Sequence, residues 1–99
     1  MTRQVTLTVN GEPIELIYFV GEYIGGVVGG MVGSLRDTGE IQSLKLSIDS
    51  QGQVKINLNG ADVPLKVFPK EIIRSTILGM VAPLKGVGEV NRLEITIGG

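Results

Sequence analysis

The chain contains no cysteine, no histidine and no tryptophan, and only 4% of its 99 residues are aromatic. Each absence closes a class of function. Without cysteine there is no disulfide and no thiolate chemistry. Without histidine the commonest metal ligand and the usual general base near neutral pH are missing. Two Tyr and two Phe are too few for a base-stacking platform. A net charge of −1 and a pI of about 5.3 lack the basic field of a nucleic-acid binder. The acidic pairs Glu12/Glu15 and Asp37/Glu40 lie in turn sequence, where carboxylates are ordinary solvated groups. The residues therefore specify no catalytic centre, no metal and no cofactor, and a non-enzymatic protein is expected. Met1-Thr2-Arg3-Gln4 leads into alternating residues rather than an apolar signal core, so a cytoplasmic protein is expected.

What the chain has in excess is glycine, 15 in all, of which six (Gly21, Gly25, Gly26, Gly29, Gly30, Gly33) fall within residues 21–33. Hydrophobic residues make up 42%, enough for one domain of this length to bury a core without staples.

The chain also resembles itself. Residues 4–48 laid over 53–97 without gaps give 16 identities in 45 positions. Among them are Asn10/Asn59, Gly11/Gly60, Phe19/Phe68, Ile24/Ile73, Gly30/Gly79, Met31/Met80 and Gly39/Gly88. An ungapped match of that length indicates a tandem duplication within one domain spanning 1–99.

Each copy has the same local signals. Val5–Val9 and Val54–Leu58 alternate apolar and polar residues, the period of a half-buried strand. Asn10-Gly11 and Asn59-Gly60 are hairpin turns, because both residues tolerate positive φ. Return strands are expected over Ile14–Tyr18 and Val63–Val67, then helices running to about Leu35 and Leu84. Pro69 is a natural first helical residue, with Glu71 following where a carboxylate meets the helix dipole. Pro83 should end or distort the second helix. Third strands are expected over Ile41–Ile48 and Val90–Ile97. Asp49-Ser50-Gln51-Gly52 is turn chemistry between two strand-like runs, so strand three should pair with strand four. Under a pseudo-twofold, strand six should pair with strand one, and the halves interlock.

The expected fold class is thus α+β: a duplicated ββαβ unit with internal pseudo-twofold, six mainly antiparallel strands and two helices. The element order resembles that of duplicated double-psi and related six-stranded barrels. An open sheet, or a pair of sheets, covered by both helices satisfies the same order.

On a helical wheel the bulky residues Tyr23, Ile24, Val27, Val28, Met31, Val32 and Leu35 fill one arc, which is expected to face the sheet. A second arc is small in both helices: Gly26/Ser75, Gly30/Gly79 and Gly33/Ala82. It suggests a close helix–helix crossing inside the molecule. On the third arc the copies part. Helix two carries Lys70, Arg74 and Leu78 where helix one has Gly21, Gly25 and Gly29. Glycine inside a helix costs roughly 0.5–1 kcal/mol against alanine. Gly21, Gly25 and Gly29 are therefore the candidate interaction residues, an exposed groove for a second copy or another protein. Leu16–Leu35 holds one charge, Glu22, but its counterpart holds Lys66, Lys70, Glu71 and Arg74, so a membrane span is not expected. The alternative is a small-molecule site or active site at the glycine-bearing loops 37–40 and 85–89.

Overall fold

The computed structural model describes residues 4–35, 41–64, 67–84 and 86–98. Strands β1 (Gln4–Val9) and β2 (Glu12–Ile14) form a hairpin, followed by helix α1 (Tyr18–Leu35) and strand β3 (Ser43–Ile48). The order then recurs as β4 (Val54–Leu58), β5 (Ala61–Val63), α2 (Val67–Val81) and β6 (Leu93–Gly98). Both hairpins turn through the expected pairs. Asn10 and Gly11 have φ of 54° and 81°, and Asn59 and Gly60 have 52° and 87°, the signs of a type I′ turn.

Several boundaries differ from the expected ones. The return strands start directly after the turns and end by Ile14 and Val63, earlier than expected. The third strands start later, at Ser43 and Leu93. Their leading N–H groups bond to side chains: Asn59 Oδ1 accepts from Gln42 and Ser43, and Asn10 Oδ1 from Asn91 and Arg92. Helix α2 begins at Val67, so Pro69 is its third residue rather than its first. Its missing N–H still falls in the first turn, where no intrahelical partner exists. The helix ends at Val81, two residues before Pro83, which has no N–H to continue it.

The six strands form one open sheet in the order β2-β1-β6-β3-β4-β5, and every pairing is antiparallel. Among the described residues β2 and β5 are the outer strands and do not pair with each other, so the sheet is open rather than a closed barrel. Each edge strand is three residues long, and β2 contains Pro13, features that blunt an edge against further pairing. Strand β3 pairs with β4 across the turn at Asp49–Gly52, and β6 pairs with β1, both as expected. That turn is fastened by Asp49 Oδ1, which accepts from the N–H groups of Gln51 and Gln53, each at 2.9 Å. The third strands β3 and β6 also pair with each other at the centre, so each is held only by strands from the other half of the chain.

One face of the sheet is apolar and the other polar. Leu7, Val9, Leu44, Leu46, Ile48, Val54, Ile56, Leu58, Leu93, Ile95 and Ile97 point to the buried face. They join Ile24, Val28 and Val32 of α1 and Ile73, Ile77 and Val81 of α2 in one cluster. Both helices therefore cover the same face, α1 over β1 and α2 over β4. The result is a two-layer slab measuring 35 × 34 × 19 Å. Every buried side chain among the described residues is apolar, and none of their buried polar atoms lacks a partner. Thr6, Thr8, Lys45, Ser47, Lys55, Asn57, Glu94 and Thr96 occupy the alternate positions on the opposite, open face.

The expected crossing of the two helices at Gly30 and Gly79 does not occur. Both glycines are exposed, and a Cβ built on either meets nothing within 4 Å. The small-residue arc is real, but it faces away from the sheet. Two helices seated over β1 and β4 are separated by the width of the central β6–β3 pair, too far apart for backbones to touch.

Candidate functional site

The line of α1 that faces the sheet is Ile24, Val28 and Val32, with Val20, Val27 and Met31 half-buried beside it. This line is turned toward the glycines relative to the expected arc, and Tyr23, expected in the core, is 55% exposed. Gly21, Gly25 and Gly29 consequently lie on the flank of the helix and are half-buried. They do not make the exposed groove expected of them. A Cβ on Gly25 would stand 3.2 Å from Val5 Cγ2, so here α1 comes close to β1. Around Gly21 and Gly29 the space is open. In α2 the matching residues Lys70, Arg74 and Leu78 are also half-buried, and Arg74 runs along the Asp49–Gly52 turn with Nη1 2.8 Å from where a Cβ on Gly52 would be.

The outward side of α1 is the unusual surface. Ile17, Tyr18, Phe19 and Tyr23 are 68%, 76%, 70% and 55% exposed. The Phe19 and Tyr23 rings stack on each other with centroids 6.2 Å apart and planes inclined by 24°. Three of the four aromatic residues thus lie on solvent at the start of one helix. Below the stacked rings the same face continues as Gly26, Gly30 and Gly33, all exposed and all with open space where a Cβ would stand. Positions 19, 23, 26, 30 and 33 follow the 4-3-4-3 spacing of a helix–helix seam. Helix α2 repeats the order of sizes at Ile72, Ser75 and Gly79 and, one residue past its end, at Ala82, every one exposed.

This seam was within reach of sequence reading, since the spacing and the small residues are both visible there. What concealed it was the recurrence of small residues in both helices, which suggested an internal crossing, together with the placement of Tyr23 in the core arc.

Elsewhere the surface offers little chemistry. A shallow cleft of about 420 Å³ opens on the polar face, lined by Thr8, Gly11, Ser47, Asp49, Arg92 and Glu94. A smaller one, about 190 Å³, lies between Gly52, Gln53 and the Lys70–Arg74 turn of α2. Neither contains a buried polar group to select a ligand. Of the two loops considered as an alternative site, residues 37–40 and Lys85 lie outside the described residues, while Gly86, Gly88 and Glu89 are exposed. No group of three or more acidic side chains among the described residues could hold a metal ion. No described helix is long and apolar enough to cross a membrane. Comparison with protein-family models, curated proteins and solved structures gave no match.

Proposed function

We propose that this chain is a non-enzymatic interaction module, that its contact surface is the outward seam of α1, and that its partner is a second copy of itself. The observation carrying this reading is the order of sizes along the seam. Phe19 and Tyr23 are exposed and bulky; Gly26, Gly30 and Gly33 are exposed and bare. Two α1 helices laid antiparallel about a twofold at Gly26 bring Phe19 of each over Gly33 of the other, and Tyr23 over Gly30. Rings fill the places that the glycines leave empty, and a twofold interface is self-complementary in this way. Each ring carries roughly 150–250 Å², and soluble monomers rarely leave contiguous apolar patches above a few hundred Å² uncovered.

The glycines then have a cause. A helix needs small residues where another backbone approaches, and it accepts their propensity cost for that reason. Gly29, whose Cβ position is open, widens the same surface toward its flank. Glu22 is the one charged residue from Leu16 to Leu35, so little opposes the approach of a second copy.

The test is sedimentation of the wild type against Phe19→Ala/Tyr23→Ala. The wild type should associate with rising concentration, and the double variant should remain folded and monomeric. A folded wild type that stays monomeric at all concentrations would refute self-association.

We further propose that the two halves are copies of one ββαβ unit. Beyond the identities, the strand registers support this: Leu46 pairs with Ile56 as Ile95 pairs with Leu7, and those partners are 49 residues apart. The bonds that Asn10 makes to Asn91 and Arg92 are repeated by Asn59 to Gln42 and Ser43 at the same offset.

A further inference from the structure

We propose that Asn10 and Asn59 are latent deamidation sites, closed in the folded chain and opened when their hairpins lift from the strands they clamp. Each is followed by glycine. In an Asn-Gly pair the backbone nitrogen of the glycine can attack the asparagine Cγ. The bond from Cγ to the side-chain nitrogen breaks, ammonia leaves with the proton of the attacking nitrogen, and a five-membered succinimide forms. Water then opens the ring at either carbonyl and leaves aspartate or isoaspartate. Glycine assists because no Cβ obstructs the attack and its backbone is the least restricted.

Both asparagines are exposed, so access of water does not protect them. The clamp does. Asn10 Oδ1 accepts from the N–H groups of Asn91 at 2.8 Å and Arg92 at 3.0 Å, while its Nδ2 donates to the Glu89 carbonyl at 2.8 Å. Asn59 Oδ1 accepts from Gln42 at 2.8 Å and Ser43 at 2.9 Å. Their main chains are held too: Asn10 N–H donates to Arg92 O, and Asn59 N–H to Ser43 O. To close the ring, Cγ must turn onto the nitrogen of its own successor. That motion removes the acceptor from two backbone donors at the entry to β6 or β3, which an intact sheet resists.

The reaction also prevents return. Isoaspartate adds a backbone atom to a two-residue turn whose twist matches its strands. Aspartate keeps the two acceptor bonds, but in Asn10 it replaces the donor to the Glu89 carbonyl with a carboxylate oxygen facing it. Opening of either hairpin would thereby be recorded as a permanent change in the chain.

The experiment follows ammonia loss at each asparagine by peptide mass analysis, using the full chain in mildly alkaline buffer with and without urea. A short peptide, Val9-Asn10-Gly11-Glu12, gives the unrestrained rate. In urea both sites should react at the peptide rate. In the folded chain both should be slower by at least about tenfold, the factor that ~1.4 kcal/mol of opening free energy sets. A folded-state rate equal to the peptide rate at either asparagine overturns the proposal. Asn91→Pro removes one donor from the Asn10 clamp alone, so in the folded variant Asn10 should react faster relative to Asn59. An unchanged ratio in that folded variant overturns the clamp as the cause.

Discussion

Leu46 of β3 and Ile95 of β6 lie directly opposite each other in the central ladder, and neither exposes any surface. They are 49 residues apart, so under the proposed duplication they occupy matching places in the two halves. Each sits between two strands of the other half of the chain. Leu46→Ala and Ile95→Ala should each destabilise the chain by about 2–5 kcal/mol. Because the two side chains share one site, the double variant should depart from the sum of the single ones. Urea unfolding of the three variants checks both points. Additive losses would mean that the halves meet there without coupling.

The asparagine clamps separate two contributions. Asn10→Gly keeps a residue at ease with φ of 54° but loses the side-chain hydrogen bonds. Asn10→Ala loses the bonds and adds the left-handed penalty of roughly 1–2 kcal/mol. Denaturation should therefore rank wild type above Asn10→Gly and Asn10→Ala lowest, with the same ranking at Asn59. Equal stability of the Gly and Ala variants would show that the turn relaxes out of its conformation.

Strand exchange makes a prediction about fragments. Residues 53–99 contain β4, β5, α2 and β6, yet β6 pairs only with β1 and β3, which that fragment lacks. The fragment should fold only by pairing with a second copy of itself. Sedimentation as a folded monomer would contradict the proposed equivalence of the halves.

These relationships were legible to different degrees. The Asn-Gly hairpins and the Asp49–Gly52 turn could be read in advance because turn chemistry is local and names its own geometry. The pairing of β3 with β4 followed from that turn, and the pairing of β6 with β1 from symmetry. The rotation of α1 about its axis was not legible. A wheel weighs side chains, and glycine has none, so a half-buried flank such as Gly25 against Val5 looks the same as empty surface. Tyr23 compounded this, since an aromatic residue among valines suggests core while here it stacks on Phe19 in solvent. The choice between barrel and open sheet depended on what happens at β2 and β5, three residues each, too short to declare an edge from sequence.

The glycines of α1 should differ among themselves. Gly26→Ala adds a methyl group to open space and should stabilise the folded monomer by about 0.5–1 kcal/mol. Gly25→Ala should gain less, because its Cβ would stand 3.2 Å from Val5 Cγ2 and that side chain must yield. Thermal melts of the two variants and the wild type, at a concentration where the chain is monomeric, give the comparison. A larger gain at Gly25 than at Gly26 would mean that the close approach of α1 to β1 is absent in solution.

The most direct test of the self-association reading is sedimentation velocity of Gly30→Lys beside the wild type. Lysine at this position faces open space in the monomer and favours helix, so at concentrations where the wild type is dissociated the variant should melt at or above the wild-type temperature. In the antiparallel pairing it would stand where Tyr23 of the second copy belongs. The wild type should then sediment as a concentration-dependent dimer and Gly30→Lys as a folded monomer. A Gly30→Lys variant that dimerises as readily as the wild type would contradict the account.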